Sequence, residues 1–475
     1  MPILGGLGRL AKFSLDPIRY LDGLFREHGR IAVLVRGRPT RVVSTERHVP
    51  GTVCLYGPEL NRALFTDHEG FHKCALSGPL YPGEPFTART QPLSRLLTGL
   101  FSVNGDEHRR HRRLLMPAFH KSRIESYRDD MVQLTDSLIE KLVPGEVRDV
   151  RPDMMELTLR VATKTLFGAD MGTLGIDIGR DLQRWLELFG PSTILPLDLP
   201  GLPYRRWLDI CRSIDRRMSD VITAKRQSGR GGKDMLSMLL EATDEAGDPL
   251  TDDQLVGHAG VIFAAGHETS SNGLCWTLFL LAQHPRFAAE LVGELDSVLR
   301  GRAPTVDDLP SLRLLDFTIK ESMRLIPPVP LNHRIASRDC SLGGYTLPAG
   351  TEVLSSAYHT HRMPELYPEP LRFQPERWSD REAPGPYAYS PFGAGPRMCI
   401  GATFALMEMK IVLAMLLQRF RFELVPGTRI DRFLTITLAP KPGLPLLVRA
   451  QDRDFRAPPA TVRGSVRELY ELPPN

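Results

Sequence analysis

The residues whose types and spacing promise the most chemistry are Phe392, Gly393, Gly395, Arg397, Cys399 and Gly401, all in the run SPFGAGPRMCIG from Ser390 to Gly401. The next stretch, ATFALMEMKIVLAMLLQRF, repeats apolar residues three and four apart, so the spacing predicts a helix that starts just after Cys399. Free backbone N–H groups at such a terminus favour negative charge and lower a thiol pKa. The three glycines remove side chains around the sulfur, which lets the backbone bend or a bulky group approach. Arg397 adds a fixed positive charge. A cysteine before a core helix is, on its own, an inert buried thiol. These neighbours describe instead a thiolate kept for a partner that is flat, large or anionic, and a metal held in a carboxylate-bearing ring fits.

Two further constellations lie on helices. Thr251-Asp252-Asp253-Gln254 reads as a capping box, and the apolar pattern then runs to His284-Pro285. The roughly 32 residues make a helix of about 48 Å. Its middle, Ala264-Ala265-Gly266-His267-Glu268-Thr269-Ser270-Ser271, breaks the apolar pattern with a glycine and hydroxyls. Thr269 is expected to bond back to the Ala265 carbonyl and loosen the ladder, leaving a groove with an acid and an alcohol beside it. Glu321 and Arg324 stand one turn apart on a helix stopped by Pro327.

The elements that must position these residues divide by composition. Residues 31–56 read as strands, residues 106–326 mostly as helices, residues 340–360 and 433–449 as strands or hairpins, and residues 400–420 as the helix after Cys399. The fold class expected is mainly α with a small β-rich region. The 475 residues show no linker, repeat or low-complexity tract, so a single domain over 1–475 is expected.

Composition narrows the function further. Sixty Lys plus Arg against 56 Asp plus Glu give +4, which argues against nucleic acid. Cysteines at 54, 74, 211, 275, 340 and 399 form no Cys-x-x-Cys pair, which disfavours zinc and disulfide frameworks. The opening MPILGGLGRLAKFSLDPIRY contains neither a secretory core nor an 18-residue apolar run. A cytoplasmic monomer without a membrane anchor is therefore expected.

Taken together, Phe392-x-x-Gly395-x-Arg397-x-Cys399-x-Gly401, Ala265-Gly266-x-Glu268-Thr269 and Glu321-x-x-Arg324 resemble the cytochrome P-450 superfamily of haem-thiolate monooxygenases. Pro375-Glu376-Arg377-Trp378 is similar to the segment that supplies the last member of the family's Glu-Arg-Arg network, here Glu321, Arg324 and Arg377, which would hold the Cys399 loop. NGDEHRRHRRLLMPAF resembles the helix whose His108 and Arg112, four apart on one face, meet the haem propionates. By the same resemblance Arg334 and Arg397 also bind propionate, while Phe392, Ala265 and Gly401 border the cofactor.

The resemblance implies a fold with haem between the long distal helix and the helix after the Cys loop, haem b as cofactor, and Cys399 as its iron ligand. An anionic sulfur pushes electron density toward iron and favours O–O cleavage. Thr269 and Glu268 would serve proton delivery to bound dioxygen. One oxygen atom would then enter a C–H or C=C bond of a hydrophobic small molecule, such as a terpenoid, steroid, fatty acid or polyketide. Val261 and Ala264 on the long helix, Val329 and Leu331 after Pro327, and Ile436 and Thr437 in the C-terminal hairpin should face the pocket. The loop from Leu80 to Leu100, with Phe86, is long enough to act as a lid.

Neither a flavin nor a nicotinamide fingerprint appears, so electrons from NAD(P)H are expected through a separate ferredoxin and ferredoxin reductase. The acidic partner would dock on Arg109, Arg110, Arg113 and Lys410. Two other readings compete: a peroxide-driven hydroxylase of the same fold, which would usually lack the Glu268-Thr269 pair, and a non-catalytic haem-thiolate protein that binds a ligand or gas. The sequence assigns no haem role to His359 or His361, and no role to the tail 451–475.

Overall fold

The longest helix is built as its sequence dictates. The Thr251 hydroxyl accepts the Gln254 N–H and the Gln254 side chain accepts the Thr251 N–H, opening a helix over Asp252–Gln283 that ends where Pro285 starts the next. In this computed structural model, which describes residues 2–37, 40, 49–73, 86–168, 173–194, 196–228, 232–379 and 384–472, that helix is the axis of the fold. Thr269 Oγ1 donates to the Ala265 carbonyl at 2.7 Å, as expected, yet the helix stays unbroken through Gly266. The helix Val150–Phe167 packs along it, and the Thr158 hydroxyl donates to the His267 carbonyl at 2.9 Å.

Almost every residue from Ser270 to Leu281 is buried, because the helices Arg313–Leu325 and Ala402–Arg419 cover this half from below. The largest apolar cluster draws on all of these and reaches from Ile18 to Tyr470. Surface helices elsewhere show the usual apolar stripe: Pro17–His28 buries Ile18, Leu21, Leu24 and Phe25.

The strands gather to one side, from segments far apart in sequence. A five-stranded sheet runs in the order Ile31–Arg36, Gly51–Leu55, Glu352–Ser356, Leu331–Ala336, Phe71–His72. The contact between Gly51–Leu55 and Glu352–Ser356 is parallel and the others are antiparallel. Val147–Asp149, Pro445–Ala450 and Phe420–Leu424 make a second sheet, and Asp431–Leu434 pairs with Leu438–Lys441 as a hairpin.

The expected class, mainly helical with a small β region, therefore holds. Six strands among the described residues lie outside the expected ranges: Phe71–His72, Val147–Asp149, Leu331–Ala336, Phe420–Leu424, Thr428–Arg429 and Val462–Arg463. Two to six residues with a partner elsewhere in the chain carry no readable period of their own. Within the expected strand range 31–56, residues 38, 39 and 41–48 lie outside the described residues. The helices Pro2–Leu15 and Pro17–His28 precede the sheet and were not anticipated.

Candidate active site

Cys399 sits in a loop folded on itself. Its N–H donates to the Phe392 carbonyl at 2.9 Å and the Met398 N–H donates to the Gly395 carbonyl at 3.0 Å. The glycines divide the work that the sequence reading gave them jointly. Gly393 and Gly395 take φ of 72° and 71°, the left-handed region that glycine enters freely. A Cβ on Gly395 would meet the Phe65 carbonyl oxygen at 2.5 Å, far from the sulfur. Only at Gly401 would a Cβ border Cys399 Sγ, at 3.9 Å, so this glycine is the one that keeps the sulfur's flank open.

The thiol is accessible but enclosed, so it opens to an internal space. The sequence reading expects a lowered thiol pKa. Burial instead pushes it up, while the Gly401 N–H and the Arg112 charge pull it down. A helix terminus offers about half a charge, and desolvation of a thiolate outweighs that unless a metal cation is present to deprotonate the sulfur.

Next to the thiol is a cluster of basic side chains. His108 and Arg112 share one face of the helix Gly105–Leu115, and Arg334 comes from the strand Leu331–Ala336. His108 and Arg334 are 6% and 4% exposed. Lys73, just past the strand Phe71–His72, joins them with its Nζ 3.9 Å from the centre of the Phe101 ring. Arg397 donates to the Val103 carbonyl and to Asn104 Oδ1, each at 2.5 Å. Asn104 Oδ1 also accepts the Lys73 N–H at 2.8 Å, so one side chain ties three of the contributing segments together.

Burial and mutual repulsion push these groups down together. Burial followed by the Arg397 and Arg112 charges takes His108 to about 3. Arg334 falls to about 9 through burial and Arg397, and Arg397 to about 10 through burial and Arg112. Burial lowers Arg112 and takes Lys73 well below its usual range. Among the described residues no carboxylate lies within ion-pair distance of any of the five. Such a set is stable only with an added anion, so a ring bearing two carboxylates, with a metal for the thiol, fits these residues. Sequence reasoning missed Lys73, which nothing nearby marks until the strand Phe71–His72 brings it here, and passed over Asn104, although it opens the run that carries His108 and Arg112.

On the long helix Val261, Ala265 and Thr269, four residues apart, form a stripe that remains open along a largely buried helix. Gly266 is not part of that opening, since its Cβ direction meets only Ala162. Glu268 turns sideways. Its Oε1 accepts the Thr437 hydroxyl at 2.8 Å, and Asn272 Nδ2 donates to that same hydroxyl at 3.2 Å. Burial raises the Glu268 carboxyl, while Thr437 and then Arg151 pull it down. Thr437, expected to line the substrate pocket, is therefore buried at 4% and committed to Glu268.

The other expected pocket residues are scattered by exposure. Val261, Ala264, Val329 and Ile436 are half-buried, with Val261 against Gly99, while Leu331 packs on the N-terminal cluster of Phe13 and Leu21. Phe86 is 46% exposed, and residues 80–85 of the expected lid lie outside the described residues.

The Glu-Arg-Arg network is assembled and fully enclosed. Arg324 reaches Glu321 with Nε and Nη2 at 2.8 Å each, and Arg377 Nε reaches it at 3.0 Å. The Trp378 indole and the Gln374 N–H donate to the same carboxylate at 3.0 Å. Arg324 Nη1 also donates to the His361 carbonyl at 2.8 Å, and the His361 Nε2 accepts the Ser390 N–H at 2.9 Å. His361, to which the sequence assigned no role, thus connects the network to the first residue of the Cys loop. Burial and the Arg324 charge hold its ring at about 3, neutral and able to accept. His359 pairs with Asp22 at 2.9 Å, fastening the N-terminal helices.

The expected basic docking face is different in kind. Arg109 pairs with Asp106, Arg110 with Asp244, Arg113 with Glu245, and Lys410 with Asp316 at 2.7 Å. Each charge is answered within the chain, which a count of arginines on one helix does not reveal.

Residues 78–447 match the family model described as cytochrome P-450. The chain is 36% identical over 343 residues to the cyclooctat-9-en-7-ol 5-monooxygenase of Streptomyces melanosporofaciens, covering 70% of this chain and 75% of the relative. It is 31% identical over 438 residues to the pentalenene oxygenase of Streptomyces avermitilis, covering 90% of each. A solved cyanobacterial cytochrome with retinoic acid bound shares the fold, with a TM-score of 0.80 and 24% identity over 93% of this chain and 96% of that one.

Proposed function

This chain belongs to the cytochrome P-450 family of monooxygenases, and from that premise we propose that it oxidises a terpenoid-class hydrophobic molecule, placing one oxygen atom of O₂ in a C–H or C=C bond. The observation that carries the reading is the Cys399 thiol opening inward beside four buried or half-buried cations and a neutral His108, which no carboxylate among the described residues answers. Haem b, when bound, supplies oxygen activation with electrons delivered from NAD(P)H by a separate ferredoxin and its reductase.

The chain's own residues do the rest. Cys399 would be the iron ligand, with the Phe392 carbonyl fixing its backbone. Arg112, Arg334, Arg397, His108 and Lys73 would hold the carboxylates of the ring. Ala265 and Gly401 are small enough to leave room for it. Thr269, its hydroxyl tethered to the Ala265 carbonyl, and Glu268, held by Thr437 on the helix's flank, would serve proton delivery. Val261, Ala264, Val329 and Ile436 exclude water from the substrate.

The terpenoid class is supported by the two relatives above, which act on cyclooctat-9-en-7-ol and pentalenene. The test is spectroscopic. Haem-reconstituted protein reduced under carbon monoxide should show the long-wavelength Soret band of a thiolate complex, and pentalenene or cyclooctat-9-en-7-ol should shift the ferric spin state. A carbon monoxide complex without that band refutes the haem-thiolate assignment. A normal band with spin shifts only from fatty acids or steroids refutes the substrate class.

A further inference from the structure

We propose that Thr437 is a positioning residue for the reaction, its hydroxyl holding the Glu268 carboxylate in place beside Thr269. The inference rests on the monooxygenase reading and concerns the acid of its proton path.

A hydroxyl has one proton to give. Asn272, one turn beyond Glu268 on the same helix, donates its Nδ2 proton to Thr437 Oγ1, which occupies an acceptor site and leaves the hydroxyl proton for Glu268 Oε1. The direction of the bond is therefore set by Asn272, and it favours the ionised carboxylate. The donor cannot drift. The Leu438 N–H donates to the Pro328 carbonyl at 2.9 Å, the Trp276 indole donates to the Leu438 carbonyl at 2.8 Å, and the Thr435 N–H closes the hairpin tip on the Thr437 carbonyl at 3.2 Å. Trp276, Asn272 and Glu268 are spaced by four residues along one helix face, so the hairpin tip is fastened to the face that carries the acid.

The other charges around Glu268 come from two different helices: Arg151, on Val150–Phe167, draws the carboxyl toward ionisation, and Glu187, on Thr173–Ile194, opposes it. Burial opposes it most. Without the Thr437 hydroxyl, nothing but the Arg151 charge among the described residues resists burial, and no other hydrogen bond fixes the carboxyl's orientation.

The test uses the full haem-loaded chain with Thr437→Val, Thr437→Ala and Thr437→Ser, each in wild-type and Glu268→Gln backgrounds. The first readout is the infrared carboxyl stretch of Glu268, assigned by its loss in Glu268→Gln and followed against pH. The hydroxyl-free variants should titrate about one pH unit higher, the worth of one hydrogen bond to a charged group, and serine should restore the wild-type midpoint. The second readout is NADPH oxidation driven by a surrogate ferredoxin and reductase, with its solvent-deuterium effect. It should fall about tenfold in valine and alanine, a fraction of a general acid's contribution, with the pentalenene spin-shift midpoint unchanged and no further loss in Glu268→Gln. Wild-type carboxyl titration in both hydroxyl-free variants, or an equal loss of NADPH oxidation in the Glu268→Gln background, would overturn the proposal. A missing thiolate spectrum would sink the monooxygenase reading while the infrared titration still decides Thr437.

Discussion

Glu321→Gln is the most informative single substitution in the enclosed network. The carboxylate has no solvent exposure and accepts five hydrogen bonds from Arg324, Arg377, Trp378 and Gln374. Glutamine keeps the shape but removes the charge, and its amide nitrogen faces donors. The Arg324 guanidinium is then left fully buried with no carboxylate partner among the described residues. Removing one member of a buried charge set costs about 3–5 kcal/mol. At about 1.4 kcal/mol per power of ten, the folded-to-unfolded ratio falls by roughly two to three and a half orders of magnitude, against a total stability of about 5–15 kcal/mol.

The damage should reach the Cys loop through the Arg324 bond to the His361 carbonyl and the His361 bond to the Ser390 N–H. Arg377→Lys is the graded comparison: it retains charge but loses the planar fork, costing about 1.5–3 kcal/mol. Urea unfolding read in parallel by far-ultraviolet dichroism and by Soret absorbance, together with haem content per protein, measures both effects. Glu321→Gln should shift the midpoint more than Arg377→Lys and reduce haem content with it. A Glu321→Gln protein within about 1 kcal/mol of wild type, or the two variants losing equally, would refute the argument that the network is held by an uncompensated-charge penalty.

Other expectations concern groups strained by burial. Glu408, on the Cys helix, has neither carboxyl oxygen in a well-aligned hydrogen bond, although Ser270 lies beside it, and burial pushes it up to about 8. The unfolded chain ionises near 4.5, the ordinary value, so folding must take up a proton between those values, and stability falls as pH rises from about 4.5 to about 8 and is level above. Glu408→Gln should remove that slope, raising the thermal midpoint at pH 8 but not at pH 4.5. Arg334→Leu should act in opposite directions on the two forms: haem transfer to apomyoglobin becomes about 10- to 100-fold faster as a bond to a charged group worth about 1.5–3 kcal/mol is lost, while the haem-free chain gains thermal stability because one repelling cation is gone. Thr269→Ala should lower product formed per NADPH consumed without moving the spin-shift midpoint, measured with pentalenene.

Local chemistry made much of this protein legible in one dimension. The Thr251 capping box, the apolar period to His284 and Pro327 placed the two helices that carry the site to within a residue or two, since caps and periodicity act over one or two turns. Cys399 stood out by the residues spaced around it, whereas Glu321, Arg324 and Arg377 were named as a network through the resemblance of their segments, and the structure joins them by hydrogen bonds. Tertiary structure decided which groups meet. Lys73 enters the cluster beside a two-residue strand and meets Asn104 at the start of the helix Gly105–Leu115, His361 connects the charge network to the Cys loop although its sequence suggested no haem role, and the Thr437 hydroxyl is committed to Glu268. It also neutralised the arginines of the expected docking face with acids up to 134 residues away. Side-chain pairing across such distances is set by how helices and sheet pack around a common core, and no local pattern of residues encodes it.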